Sequence, residues 1–297
     1  MTKIEVAVIG IPEKWSSEIL KEAFEQLSND NRTITADVFK VDDIAFDVNA
    51  NKAYINGKDL EEYAAIVIKK LGDYSPRILD CLDILGNIED RGVPFFSSPK
   101  KLRDMISRIG CTRMLASKNI NMPPTLLTEN TSEALSWIKK RKSAVFKPNF
   151  STKARGMEIL HKKTVSNDKL EKLKAQYGFL YLQELVDLPG EDYGVVFSGG
   201  EYIGTYARVG DKNSWNTTTQ DGGHYKSYKP SEEIITLAQK AQDTFQLDFC
   251  CVDIAVTNLG PIVFEVSAFG GFKGMYKGAG INSAEILSKY VLDKLEK

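Results

Sequence analysis

The sequence predicts an N-terminal α/β lobe on a small parallel sheet of the Rossmann-like kind, followed by a longer region of hairpins and helices. Three features point there. Over residues 1–98, short apolar runs alternate with segments of helical spacing, the order that builds a parallel sheet. Beyond them, two pairs of β-branched and aromatic runs are joined by turns rich in Gly, Asn or Pro. The length, 297 residues, exceeds one minimal domain and suits two or three lobes.

The elements follow in order. IEVAVI is a buried strand, and SSEILKEAFEQLS carries Ile19, Leu20, Ala23, Phe24 and Leu27 at helical spacing. ADVFKVDDIAF is a second strand region, VNANKAYINGKDL a hairpin turning at Asn56-Gly57, and AAIVIKKLG a third main strand. PRILDCLDILGNIEDRG is helical and VPFFSS a short strand ending at Pro99. No G-x-G-x-x-G turn follows the first strand, which argues against a dinucleotide site there. SPKKLRDMISRIGCTRMLASKNI opens on a Ser-Pro helix start and spans two helices, and the double proline of MPPTLLT marks an extended linker. SAVFKPNF is a strand leading into the loop STKARGME, FLYLQELVD is another strand, and PGEDYGVVFSGGEYIGTYARVG is a hairpin through Ser198-Gly199-Gly200. GDKNSWNTTTQDGGHYKSY is polar without periodicity, SEEIITLAQKAQDTFQL an amphipathic helix, and INSAEILSKYVLDKLE a closing helix after the glycine-rich AFGGFKGMYKGAG.

Composition narrows the class. Hydrophobic residues make up 42% and charged residues 27%, as in an ordinary soluble globular protein. A formal net charge of −1 sets up no field toward nucleic acid or an anionic membrane. No apolar run approaches the roughly 18 residues of a membrane helix. MTKIEVAVIG enters a strand directly, without a signal-peptide layout, so a cytoplasmic location is expected. Cys81, Cys111, Cys250 and Cys251 lack metal-ligand spacing and read as reduced, buried thiols.

The chemistry concentrates in CVDIAVTNLGPIVFEVS, residues 251–267. With a loop centred on Leu259, Asp253 falls opposite Glu265, and opposed residues on paired strands have Cβ atoms roughly 4.5–5.5 Å apart, where like charges repel. Alternation puts Val252, Ile254, Val256, Ile262, Phe264 and Val266 on one face and Asp253, Glu265 and Ser267 on the other. A hard cation such as Mg²⁺ is the simplest reason for such a pair; exposure at a sheet edge is the alternative.

Other candidates are weaker and stay open at this level. Lys147, late in an apolar strand, can reach nucleotide phosphates as a point charge, or simply be solvated. The loop 151–156 offers Ser151, Thr152, Lys153, Arg155 and Gly156 for phosphate, or is a mobile surface loop. Backbone groups of Glu184 and Leu185 suit an adenine edge, with Asp192 near a ribose, but from local sequence alone a strand followed by a turn is the favoured reading. Gly271 and Lys273, in the loop after the acids, hold substrate or turn the chain. His161, His224 and Trp215 read as surface or anchoring residues, with His224 and Trp215 able to face a substrate.

Taken in order, these segments resemble the ATP-grasp superfamily and, within it, the RimK-like ligases that attach glutamate or a similar amino acid. KLRDMISRIGCTRMLASKNINMPPTLL, AVFKP, YLQELV, GEDYGVVF, CVDIAV, GPIVFEVS and GGFKG span essentially the whole chain. TYARVGDKNSWNTTTQDGGHY matches the family's polar substrate loop in length, in Arg208 and in Gly222-Gly223. The resemblance implies a pre-ATP-grasp lobe over 1–98 and an ATP-grasp domain over 99–297, whose α+β subdomains, about 120–185 and about 186–297, clamp ATP. It implies that Lys147, Lys153, Arg155, Gly156, Gln183, Glu184, Leu185 and Asp192 bind the nucleotide. Asp253, Glu265 and Ser267 would hold two Mg²⁺ or Mn²⁺ ions. Arg208 and Lys147 would act on the triphosphate or acyl phosphate, and Arg208, Asn216, Gly222, Gly223, Gly271 and Lys273 would meet substrate.

The implied activity is an ATP-dependent carboxylate–amine ligase working through an acyl phosphate, with an ATP-grasp kinase or a non-catalytic nucleotide binder as alternatives. Its partners would be an amino acid and a small-molecule or peptide carboxylate acceptor, with neither nucleic acid nor membrane, and related ligases are often homo-oligomers. Three departures stand out: Ser267 replaces the family's Asn, STKARG is poor in glycine, and Asn216 replaces an arginine whose charge Lys153 or Arg155 would supply.

Overall fold

The computed structural model describes residues 2–72, 75–211, 217 and 222–296. In the first lobe β1 (Thr2–Ile9), α1 (Trp15–Glu25), β2 (Arg32–Phe39), β3 (Ile44–Asp47), β4 (Lys52–Ile55), β5 (Lys58–Asp59), β6 (Ala65–Ile68), α2 (Arg77–Asp90) and β7 (Phe95–Phe96) follow in order. The main sheet runs β2-β1-β6-β7, every pair parallel. Val6 to Ile9 are buried on both faces, as a parallel sheet covered by helices requires. β3, β4 and β5 form a separate antiparallel sheet. Its tight turn is the expected one: Asn56 and Gly57 both take positive φ, +51° and +82°, as a primed turn needs.

A pair of helices, α3 (Pro99–Met105) and α4 (Arg108–Ser117), leads out of this lobe. Ser98 caps α3 by accepting from the amide of Lys101, and Ser107 caps α4 by accepting from the amide of Gly110. The second cap ends one helix and starts the next, which puts Arg108 in the first turn of α4.

The middle of the chain holds β8 (Thr125–Thr128), α5 (Thr131–Arg141), β9 (Ser143–Phe146), β10 (Glu158–His161), α6 (Asn167–Tyr177) and β11 (Leu180–Glu184). Its antiparallel sheet runs β10-β9-β11-β8. The expected linker MPPTLLT is therefore a strand in its second half. Pro123 and Pro124 lead in, while Thr125 to Thr128 pair with Gln183 to Leu180. Helices α5 and α6 bury Ala134, Ile138, Leu170 and Leu173 with Phe146, Leu160 and Leu182 in a core of their own.

The last region holds β12 (Glu191–Ser198), β13 (Glu201–Val209), β14 (His224–Ser227), α7 (Glu232–Phe245), β15 (Phe249–Thr257), β16 (Gly260–Ser267), the short α8 (Phe272–Gly274) with a wider turn over Met275–Ala279, and α9 (Ser283–Leu295). Its antiparallel sheet runs β14-β13-β12-β15-β16. β14, at the edge, is hidden in the polar stretch because only Tyr225 of its four residues is half-buried, too little for an apolar alternation. The core of this sheet is continuous with the first lobe. Ile9, Ile66 and Leu82 share one buried cluster with Val195, Phe197, Val252 and Ile254. Val6, Phe24 and Phe96 share a second with Phe249, Val291 and Leu292.

Candidate active site

The acid-bearing hairpin pairs as expected, by a different route. From a two-residue turn at Asn258-Leu259, Thr257 pairs with Gly260, Val256 with Pro261, Ala255 with Ile262 and Ile254 with Val263. A bulge then absorbs Phe264, so that Asp253 faces Glu265, Val252 faces Val266 and Cys251 faces Ser267. The predicted apolar face is corrected accordingly. Val263 joins Val252, Ile254 and Val266 in the core, whereas Ile262 and Phe264 lie outside it. The Phe264 ring instead sits 5.2 Å from Lys147 Nζ, toward the middle sheet.

Each acid is met by an arginine from another element. Arg208 lies opposite Asp192 in the β12–β13 pairing. It donates from Nε to Asp192 Oδ1 at 2.9 Å and from Nη2 to Asp192 Oδ2 at 2.6 Å, and the same Nη2 stands 3.1 Å from Asp253 Oδ1. Arg108 donates from Nη1 to Glu265 Oε2 at 2.8 Å and from Nε to the carbonyl of Pro148 at 3.3 Å. Asn149 holds the start of α4 in place by accepting the amide of Arg108 on its carbonyl and that of Ile109 on its side chain.

Electrostatics separate the two acids. Burial pushes the Asp253 carboxyl up to about 6, against the pull of Arg208 and with help from Glu265. Burial acts on Glu265 in the same sense, but Arg108, Lys147 and Arg208 together outweigh it and hold this carboxyl below its usual range. Arg208 is half-buried, and Asp253 and Asp192 raise its proton affinity well above the ordinary value against the cost of desolvation.

Lys147 follows directly on β9 and is 9% exposed. Its Nζ donates to Gln183 Oε1 at 2.5 Å. Burial, reinforced by Arg108, lowers its proton affinity to about 7. Between α3–α4, the loop after Lys147 and β16 lies an open cleft of ≈ 520 Å³, lined by Arg108, Thr112, Asn149, Thr152, Glu265 and Ser267 among others.

The other expected residues fall at varying distances from this centre. Lys153 takes a positive φ of +58°, and Arg155 folds back, donating from Nη2 to Thr152 Oγ1 at 3.0 Å. Gly156 (φ +72°) packs where a Cβ would meet Tyr177 Oη at 2.9 Å, so this turn tolerates only glycine. At the exit of β11, the Glu184 amide donates to the Pro124 carbonyl at 2.8 Å, the Leu185 amide reaches Ser143 O at 3.4 Å, and Glu184 lies 3.5 Å from Arg141. Ser267 accepts the amide of Gly270 at 3.1 Å. Gly271 takes φ +94°, and Lys273 is exposed beyond it. Gly222 (φ +90°) and Gly223 precede β14, while Asn216 and Trp215 lie outside the described residues. Arg108 is the residue sequence reasoning missed. SRIGCTR reads only as a helix start, and nothing local says that its first turn abuts β16.

The donor set suits a hard divalent cation. Asp253 and Glu265 face each other across one rung, with the Ser267 hydroxyl two residues on, all oxygen donors. Among the described residues, no group of three His, Cys, Asp or Glu could hold a metal. A cation here would need oxygens from a substrate, the way Mg²⁺ is usually held by one or two carboxylates and phosphates.

Two antiparallel sheets meeting across a cleft, one offering a buried lysine and the other paired acids, define an ATP-grasp enzyme. The chain belongs to the RimK-like ATP-grasp family: that domain matches residues 106–291. It is 27% identical over 237 residues to the tetrahydromethanopterin:alpha-L-glutamate ligase of Methanosarcina acetivorans, covering 70% of this chain and 73% of that one. It is 25% identical to a probable alpha-L-glutamate ligase of Maridesulfovibrio salexigens, over 79% and 78% of the two chains. Among solved structures it is similar to the ATP-grasp ligase PsnB complexed with a precursor variant, Mg and ADP (TM-score 0.76, 16% identity, 98% of each chain). It is also similar to the D-cycloserine synthetase DcsG (TM-score 0.74, 16% identity, 98% and 99%). The chain is thus an ATP-dependent, ADP-forming ligase that makes amide bonds, and the kinase and non-catalytic alternatives give way to it.

Proposed function

We propose that this ligase activates a carboxylate as an acyl phosphate and joins it to the amine of an amino acid, glutamate being the first candidate. The observation that carries the proposal is the gathering of two facing acids, Asp253 and Glu265, with Arg108 paired to Glu265 beside the cleft and the buried Lys147 ammonium over the neighbouring Phe264 ring. Carboxylate and amine do not condense at neutral pH because O⁻ is a poor leaving group; transfer of the γ-phosphoryl group to the carboxylate supplies phosphate as the leaving group instead. Two Mg²⁺ ions held by Asp253, Glu265 and the hydroxyl of Ser267 would neutralise charge on the transferring phosphoryl oxygens. Lys147 and Arg108 add fixed positive charge on the nucleotide side, and Arg208 adds it above Asp253. Arg108, paired with Glu265 beside the cleft, joins Lys153 and Arg155 as a source of the positive charge missing at Asn216.

Glutamate as the added amino acid is supported by the names of the curated relatives. The acceptor is a small molecule or a peptide bearing a carboxylate, met by the loops of Gly222-Gly223 and Gly271–Lys273. The nucleotide base is held by the backbone at Glu184 and Leu185, and the phosphates by the loop of Lys153, Arg155 and Gly156. No helix among the described residues is long and apolar enough to cross a membrane; a cytoplasmic location is part of the proposal. A panel of amino acids and carboxylates, scored for ADP release that requires both, tests the proposal. Release with no dependence on an amine would refute it.

A further inference from the structure

Gln183 was expected to bind the nucleotide, yet every polar atom of its side chain is engaged inside the protein. We infer that Gln183 is a positioning residue: it aims Lys147 at the phosphate side of the cleft and leaves that lysine's charge unneutralised. The inference rests on the nucleotide-binding reading of Lys147.

The orientation of the Gln183 amide follows from proton counting. Thr125 Oγ1 gives its single proton to the carbonyl of Pro123 at 2.9 Å, so toward Gln183 it can only accept. The side-chain atom 3.1 Å away must then be the amide nitrogen, Nε2. The second Nε2 hydrogen points at Tyr181 Oη, 3.4 Å away. Tyr181 Oη in turn shares a hydrogen bond with Thr112 Oγ1 at 2.8 Å, in which either hydroxyl can donate. The carbonyl oxygen Oε1 is left facing Lys147 Nζ at 2.5 Å. Gln183, Tyr181 and Thr112 are 2%, 1% and 7% exposed, so no water competes for these positions. The chain ties β8, β11 and α4 to the lysine, and α4 is the helix that carries Arg108.

The choice of an amide matters as much as its place. Among the described residues Lys147 makes no ion pair, although it is buried. A glutamate at position 183 would satisfy the ammonium internally. A glutamine orients it with one hydrogen bond and brings no negative charge of its own, so an anion entering the cleft is the group that completes the ammonium's ion pair.

The test measures ATP and adenosine binding to the full chain, by calorimetry or displacement of a fluorescent ATP analogue, without any acceptor. Gln183→Met and Gln183→Glu should each weaken ATP about tenfold, since a hydrogen bond to a charged group is involved, and leave adenosine unchanged. Thr125→Val should weaken ATP roughly threefold by freeing the amide to turn, and Thr125→Ser should restore wild-type affinity. ATP affinity unchanged in Gln183→Met, or ATP and adenosine weakened alike, would overturn the inference, the second by making Gln183 an adenine contact. If the Gln183 variants do not fold, the contrast between Thr125→Val and Thr125→Ser decides alone. Wild-type protein that binds no ATP would remove the nucleotide reading itself, an outcome distinct from either.

Discussion

The middle sheet and the C-terminal sheet have similar antiparallel architecture but opposite relations to the rest of the molecule. The middle sheet with α5 and α6 closes its own core, so β8 to β11 form a unit that needs little from its neighbours. The C-terminal sheet has no private core: its apolar residues merge with those of the first lobe in two shared clusters. The chemistry is divided along the same line. Lys147 and Gln183 ride on the self-contained unit, whereas Asp192, Arg208, Asp253 and Glu265 are built into the fused block. A nucleotide cleft between them therefore has one wall fixed to the bulk of the protein and another free to approach as a rigid piece.

The largest expected effect tests that division directly. Glu265→Gln should cut amine-dependent ADP release about a hundredfold or more, because it removes charge neutralisation at the transferring phosphoryl group. Lys147→Met should act mainly through ATP affinity. If both variants lose binding and turnover in the same proportion, the two walls do not have separate tasks.

Next in size is the fixed wall's own stability. Arg208→Met strands Asp192 and Asp253 without their shared cation and should cost roughly 3–5 kcal/mol in urea unfolding. A loss below about 1 kcal/mol would mean that water reaches these acids freely.

The cores themselves can be compared by hydrogen exchange. Leu182→Ala, at a fully buried site, should cost about 2–5 kcal/mol and raise exchange within 125–184 alone. Ile254→Ala should raise it in both the C-terminal sheet and the first lobe. Protection lost everywhere in both variants would show a single cooperative unit instead.

The smallest effect lies at the seam of the fused block. Lys69, at the end of β6, is 3% exposed; its Nζ donates to the Phe269 carbonyl at 2.9 Å and sits 4.1 Å from the Phe272 ring. Burial, with Lys70 adding to it, lowers its proton affinity to about 7. An unfolded lysine keeps its proton to about pH 10.4, so between about 7 and 10 the unfolded chain binds more protons. Stability should then rise with pH across that window, by up to about 1.4 kcal/mol per unit from this group. Lys69→Met should remove that share of the slope in urea titrations between pH 7 and 9; an unaltered slope would show Lys69 to be hydrated.

Local signals were enough for most strands and helices. The Asn56-Gly57 turn and the apolar run Val6–Ile9 follow from residues within one element or one hairpin, whereas Asp253 was expected opposite Glu265 from a loop centred on Leu259 and reaches it through a shorter turn offset by the bulge at Phe264. What stayed hidden depends on contacts between segments far apart in the chain. Arg108 gains meaning only where α4 meets β16, 157 residues on. Thr125–Thr128 looked like a linker because its prolines dominate the local pattern, although its partner is β11. The proposed role of Gln183 needed the proton direction of Thr125, which no sequence displays.

The irregularity at Phe264 has one more consequence. Strand side chains alternate strictly, so a single extra residue inverts the parity of everything beyond it. Were Phe264 to pair with Asp253 instead of bulging, Glu265 would fall opposite Val252 and turn, with Ser267, into the greasy layer under the sheet. Whether one residue with no polar atom in its side chain bulges or pairs thus decides on which side of the sheet the second acid stands.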